Sequence, residues 1–126
     1  LLECKKSLCE DGLIFIIEPI AKGSFHDFVK NIDDETQVRN SAYKVIKNCE
    51  KINLYENKET LYKEVKSFKD KDECIDFLMS VDKKRSNYIN SNKIFLYEEF
   101  DRLSIFNEDR YEFIQPMRLN ILSVNK

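Results

Sequence analysis

The sequence predicts an α/β fold, and three stretches carry that expectation. Residues 1 to 10 place apolar side chains at Leu1, Leu2, Cys4, Leu8 and Cys9, a helical spacing, and Gly12 follows where a helix commonly ends in a left-handed turn. Next comes the run Leu13-Ile14-Phe15-Ile16-Ile17, closed by Glu18-Pro19. A continuous run of this length, rich in β-branched residues, is the mark of a strand buried on both faces, as in a parallel sheet. Far downstream, from Tyr111 to Val124, Phe113, Met117, Leu119 and Ile121 alternate against Glu112, Arg118 and Asn120, the period of a strand. Helix tail, glycine and buried strand make half of a βαβ unit, and the strand that should precede this helix is absent from the chain.

The intervening elements follow in order. Residues 20 to 34 read as loop, with a short helix around Phe25 to Val29. Asp33 or Asp34 can cap a helix over Glu35 to Asn48 that presents Val38, Ala42, Val45 and Ile46 on one face. The alternation Leu61, Lys63, Val65 gives a short strand between Leu54 and Phe68, although Leu54-Tyr55 and Tyr62 fit a helix about as well. Asp70 to Val81 is a helix with Cys74, Phe77, Leu78 and Val81 inward. Lys83 to Leu103 reads as one longer helix whose stripe holds Tyr88, Ile89, Phe95, Leu96, Phe100 and Leu103. A turn starts at Glu108-Asp109, and Pro116 is expected at a bulge or strand start because it cannot donate to a ladder. Nothing repeats, and with two glycines and two prolines no linker divides the chain, so a single domain, whole or partial, is expected over residues 1 to 126.

Composition narrows the function classes. At 42% apolar and 12% aromatic residues in 126, the chain can bury a sizeable core and is not disordered. Its formal charge of −2, from 21 basic and 23 acidic residues, lacks the basic excess of a nucleic-acid binder. Runs such as Lys69-Asp70-Lys71-Asp72-Glu73 are mixed and read as solvated faces or helix starts. No apolar run reaches the roughly 20 residues of a membrane span, and no secretory pattern opens the chain, so a cytoplasmic protein is expected. The first residue is Leu1, which fits a processed chain, an engineered one or a fragment. Cys4, Cys9, Cys49 and Cys74 have no Cys-x-x-Cys spacing and His26 has no partner at i+3 or i+4, so no metal site is expected and the thiols read as small apolar residues in a reducing compartment. There is no phosphate loop, since the glycines are Gly12 and Gly23 only. Ser24 and His26, near in sequence but without an orienting third group, do not make a hydrolase site.

The segment Leu8 to Phe28, Leu-Cys-Glu-Asp-Gly-Leu-Ile-Phe-Ile-Ile-Glu-Pro-Ile-Ala-Lys-Gly-Ser-Phe-His-Asp-Phe, resembles the fifth strand of class I S-adenosylmethionine-dependent methyltransferases. In that family Leu-x-x-Gly-Gly precedes an apolar strand that ends in an acidic or polar residue and proline. The segment Phe100 to Leu122, with Phe-Asp-Arg-Leu, an acidic turn and Tyr-Glu-Phe-Ile-Gln-Pro-Met-Arg-Leu-Asn-Ile-Leu, looks like the ending of a bacterial small-molecule branch of the superfamily, where the last strand runs antiparallel and closes the sheet. The resemblance implies the C-terminal half of a Rossmann-like methyltransferase sheet, with a helical insertion at about 70 to 103 of the kind that covers an active site. It implies S-adenosyl-L-methionine as cofactor and a small-molecule methyl acceptor. The family's glycine-rich loop, ribose-binding acid and fourth-strand motif would all lie N-terminal to Leu1, so cofactor contacts are expected there and the chain alone should not bind cofactor usefully.

Open α/β sheets place ligands at the carboxyl ends of their strands, which points to Glu18, Pro19 and the loop through His26. Glu18 can position substrate or act as a general base; it can equally terminate the strand and accept backbone hydrogen bonds. His26 titrates near neutrality and can exchange protons, although a lone histidine in a polar loop is more often simply solvated. Ser24 and Phe25 can contact substrate, Phe25 as an apolar wall, or merely anchor the loop. Arg118 can grip a substrate carboxylate, with a salt bridge to a neighbouring helix as the commoner role. Tyr88, Phe95 and Tyr97 can form a lid, or plain core. The competing function is a non-catalytic α/β interaction module, and a further alternative is a complete but unfamiliar small enzyme. Either way, the strand Leu13 to Ile17 would leave a bare apolar edge, and self-association through that edge is expected.

Overall fold

A computed structural model describes residues 1 to 126. Twelve elements follow one another: α1 (Leu2–Lys6), β1 (Leu13–Pro19), α2 (Ser24–Lys30), α3 (Thr36–Lys47), a 3₁₀ turn (Cys49–Ile52), β2 (Tyr55–Phe68), α4 (Lys71–Val81), a second 3₁₀ turn (Lys83–Arg85), α5 (Ser86–Ser91), α6 (Lys93–Leu103), β3 (Ile105–Asn107) and β4 (Arg110–Ser123). The fold is mixed α/β, with a four-stranded open antiparallel sheet ordered β1-β4-β2 and β3 added to β4 as a short hairpin. The hairpin turns on Glu108 and Asp109, both at positive φ (50° and 63°), the signature of a two-residue loop whose twist matches the strands.

No linker divides the chain, yet it forms two compact units, one of Leu1–Ala21, Thr36–Lys63 and Pro116–Lys126, the other of Lys22–Glu35 and Glu64–Gln115. The chain passes between the units four times, at Ala21/Lys22 and Glu35/Thr36 between elements and at Lys63/Glu64 and Gln115/Pro116 inside β2 and β4, and the two crossings within regular strand leave no linker to read in the sequence.

In the first unit, α1, α3, β1 and parts of β2 and β4 surround Ile14, Ile46, Cys49, Leu54 and Leu122. β1 pairs with β4 along its whole length, from Leu13 opposite Ser123 to Pro19 opposite Met117. Directly opposed residues share a face, so Ile14, Ile16 and Glu18 lie beside Leu122, Asn120 and Arg118. The other face carries Leu13, Phe15 and Ile17, and here the expectation of a strand buried on both sides fails: Phe15 is 60% and Ile17 59% exposed. The reason is that β1 ends the sheet, its one neighbour is antiparallel, and no element of the chain covers that face. Gly12 is also used differently from expectation, since Gly23 is the glycine at positive φ. What Gly12 provides is closeness: a Cβ there would stand 2.8 Å from Leu8 Cδ2 and 3.1 Å from the backbone N and O of Cys9.

The second unit holds an aromatic core. Phe113 packs its ring against those of Phe25, Phe28, Phe68 and Phe100 at centroid distances of 5.6, 5.3, 6.2 and 5.3 Å. α4 starts at Asp70, whose side chain accepts from Glu73 N at 2.8 Å while the Glu73 carboxylate accepts from Lys69 N, a reciprocal cap. Its inward residues are Cys74, Ile75 and Leu78; Phe77 and Val81, expected inside, are exposed. The long helix expected over 83 to 103 is three pieces, a 3₁₀ turn capped by Asp82, then α5, then α6 after a break at Asn92. The breaks rotate the buried stripe to Ile89, Leu96 and Phe100 and leave Tyr88 and Phe95 exposed.

Candidate functional site

Of the residues the sequence singled out, Glu18, Pro19 and Arg118 are brought together, at the carboxyl end of β1 in the first unit. Glu18 faces Arg118 in the register, and its Oε2 stands 3.6 Å from Arg118 Nη2. Arg118 is only 4% exposed, rare for an arginine and sustainable only with partners. Its guanidinium lies 3.7 Å above the ring of Tyr43 on α3, and its Nε donates to Asn120 Oδ1 at 3.1 Å. The predicted helix salt bridge is therefore replaced by a stack on a helix tyrosine and a strand carboxylate. Two donors, Arg118 Nη2 and Asn120 Nδ2, are buried without a hydrogen-bond partner.

The cluster continues through α3. Tyr43 Oη donates to Glu59 Oε1 at 3.1 Å, and Lys47 Nζ donates to Glu59 Oε2 at 2.6 Å and to Glu56 at 2.7 and 2.9 Å. The Lys47 bond, with help from Tyr43 and the Arg118 charge, holds the Glu59 carboxyl below its ordinary pKa, and the two glutamates hold Lys47 protonated well above its own. A cavity of about 230 Å³, lined by Ile46, Lys47, Cys49, Tyr55 and Glu56, adjoins the cluster through Lys47 and Glu56. α3 thus turns its Arg39-Tyr43-Lys47 stripe toward the sheet, Arg39 Nη1 donating to Ile20 O at 3.3 Å, while Val38 and Val45 point outward. Of the four residues expected on the inner face of this helix, Ile46 is buried and Ala42 half-buried, whereas Val38 and Val45 are exposed.

Sequence reasoning missed Tyr43, Glu59, Lys47 and Asn120. The available signal was the i, i+4, i+8 spacing of Arg39, Tyr43 and Lys47, and the intrusion of Arg118 and Asn120 into an otherwise apolar strand.

No family model, curated protein or solved structure matches this chain.

The remaining candidates sit in the second unit, on α2. Ser24 Oγ accepts a hydrogen bond from Ile114 N at 2.8 Å, tying the start of α2 to β4. Phe25 is 7% exposed and belongs to the aromatic core, stacked on Phe68 at 6.2 Å. His26 is not in a solvated loop but is 4% exposed within α2. Tyr97 donates to Asp72 on α4, and Lys71 pairs with Asp101 at 2.6 Å, so α4 and α6 are tied by side chains. No group of three His, Cys, Asp or Glu side chains could hold a metal ion, and no helix is long and apolar enough to cross a membrane.

At the end of β1, then, a carboxylate of intermediate exposure stands 3.6 Å from a buried guanidinium stacked on Tyr43. Such a pair can take a proton from, and orient, a polar group that reaches the strand end.

Proposed function

We propose that this chain forms the C-terminal, substrate-side portion of a class I S-adenosylmethionine-dependent methyltransferase that transfers a methyl group to a small molecule. The observation that carries the reading is the connectivity of the sheet. β1 and β2 both run antiparallel to β4 and therefore parallel to each other, and the path from one to the other goes through helices. β4 lies between them, so the arrangement is a split β–α–β unit with no parallel neighbours, and the reading takes its helical crossover, absent from antiparallel meanders, as a remnant of a larger α/β sheet. The uncovered apolar face of β1 supports the same reading, since Phe15 and Ile17 fit a strand with further elements packed on it.

The reading assigns cofactor binding to residues preceding Leu1, because Gly12 and Gly23 offer no glycine-rich loop. The sulfonium of the cofactor supplies an already activated methyl group, so the protein contributes chiefly proximity and orientation. Glu18, held by Arg118, accepts the proton of the methyl acceptor, and Pro19 shapes the strand end. Self-association through the β1 edge belongs to the chain when that edge is uncovered.

Calorimetric titration of S-adenosylmethionine tests the proposal. The 126-residue chain is expected to give no heat of binding, and a chain extended N-terminally through its upstream coding sequence is expected to bind. Binding by the 126 residues alone, or no binding by the extended chain, overturns it. The second outcome favours the interaction-module reading, for which the exposed β1 face is the motivating surface.

A further inference from the structure

The start of α6 combines an apolar tip with charge of a single sign. Ile94 is 79% exposed, more than any other large apolar side chain of the protein, and Phe95 next to it and Tyr88 on α5 are 43% and 39% exposed. Helical geometry accounts for this: α6 buries Leu96 and Phe100, and Ile94 stands almost opposite that stripe. Ile94 and Phe95 line an open depression at the break between α5 and α6, with Asn90, Lys93 and Glu98. From residue 83 to residue 97 the chain holds Lys83, Lys84, Arg85 and Lys93 and no acid, although its formal charge is −2. Arg85 turns to Asp33 and Glu35, at 3.0 and 3.3 Å. Lys83, Lys84 and Lys93 are exposed, and no ion pair of the chain uses them. All of these residues belong to one compact unit.

We propose that this corner is a peripheral anchor for an anionic phospholipid surface. Ile94 and Phe95 enter the boundary between headgroups and acyl chains, while Lys83, Lys84 and Lys93 meet the lipid phosphates and carboxylates. An apolar tip with lysines, asparagines and a tyrosine behind it matches the layered polarity of a bilayer surface, and such a tip needs to reach only about 5–10 Å into the boundary. No membrane-spanning helix is required. α5 is about 9 Å long and packs against both the Lys83–Arg85 turn and α6, which keeps the three lysines near the tip.

Charge complementarity selects this occupant. A second copy of the same patch would set lysine against lysine. A nucleic acid would use the lysines and stack on Tyr88 or Phe95, but Ile94 is aliphatic and stacks on no base. The anchor is weak and reversible, since each lysine near an anionic leaflet contributes about fivefold to partitioning and burial of Ile94 about tenfold. It goes beyond the methyltransferase reading, because vesicle binding neither requires nor excludes cofactor binding.

Co-sedimentation with vesicles of phosphatidylcholine containing about one third phosphatidylserine tests the proposal. The chain is expected to bind them, to ignore vesicles of phosphatidylcholine alone, and to be released by salt at about 1 M. Ile94→Ser is expected to weaken binding about tenfold, and Lys83→Gln/Lys84→Gln/Lys93→Gln about a hundredfold. All four side chains are exposed, and circular dichroism checks that the fold persists. The chain has no tryptophan, so Ile94→Trp places a single reporter in the tip. Its emission is expected to shift to the blue with the mixed vesicles, and that of Phe15→Trp on β1 to stay unchanged. Failure to bind the mixed vesicles overturns the proposal, as does equal binding to phosphatidylcholine alone or binding indifferent to Ile94→Ser. So does a blue shift at Phe15→Trp and not at Ile94→Trp. Lysine-dependent binding of a thymidine oligonucleotide by a chain that ignores the vesicles overturns it in favour of a nucleic-acid surface.

Discussion

Arg118 offers the sharpest test of the strand-end cluster, because its two conservative replacements should differ in an unusual order. Lysine keeps the charge but loses the planar stack on Tyr43 and the Nε bond to Asn120. A charged hydrogen bond contributes about 1.5–3 kcal/mol and a desolvated cation–π contact about 2 kcal/mol. An ammonium also resists dehydration more than a guanidinium, and it recovers part of the loss through one donor near Glu18. The net expected cost of Arg118→Lys is about 2–3 kcal/mol. Methionine loses the same contacts, and like lysine it leaves Asn120 Oδ1 without its partner, yet it removes a buried charge whose desolvation penalty is several kcal/mol. Arg118→Met is therefore expected to cost about 1 kcal/mol, less than the lysine variant. Urea denaturation followed by far-ultraviolet circular dichroism reads both, and with a slope of about 2 kcal/mol/M the lysine variant should lose about 1 M in midpoint. A lysine variant within about 0.5 kcal/mol of the parent, or a methionine variant worse than lysine, would refute the claim that stacking and fork geometry hold this residue in place.

Further outcomes follow from other parts of the fold. Phe113→Ala, which removes the ring at the hub of four aromatic contacts, is expected to cost about 3–5 kcal/mol and roughly 15 °C in Tm by calorimetry. Glu59 has a folded pKa below its unfolded value near 4.3, so its contribution is present above that pH and is lost as pH falls through the folded value. Glu59→Gln should flatten the acid limb of a stability-against-pH curve below about pH 4.5 while costing stability at neutrality. Native-state alkylation should label the exposed Cys4 and Cys9 first, because Cys49 is buried and burial pushes the Cys74 thiol up to about 12; rapid labelling of Cys74 would contradict its place in the core. Glu108→Asn with Asp109→Gly relieves two positive-φ positions and should raise stability by about 1 kcal/mol in thermal melts.

Much of the fold was legible where one physical signal acted alone. The inward apolar residues after Asp70 marked α4, the unbroken apolar run marked β1, and the acidic turn at Glu108-Asp109 marked the start of β4, while β3 left no signal. Legibility failed where a polar side chain was doing the inward packing. Apolar periodicity puts Val38, Ala42, Val45 and Ile46 on the inner face of α3, which holds for Ile46 and not for Val38 or Val45, whereas Tyr43 and Lys47 reach the sheet's carboxylates. It failed again at Asn92, since a break between α5 and α6 needs no proline or glycine and leaves little trace in periodicity. For the site, Glu18, Pro19 and Arg118 could be found from strand ends and charge. Tyr43 and Glu59 join them only through long-range packing, and the placement of Phe25 in the aromatic core depends on rings 43 to 88 residues away in sequence.

Hydrogen–deuterium exchange along β1 tests most directly whether this strand belongs inside a larger sheet. In the 126-residue chain β1 is paired to β4 on one side, so alternate amides from Leu13 to Ile17 should exchange quickly while their neighbours are protected. In a chain extended N-terminally the fast amides should slow to match the rest of the strand. If their exchange is unchanged by the extension, β1 is a true edge and the methyltransferase reading is contradicted.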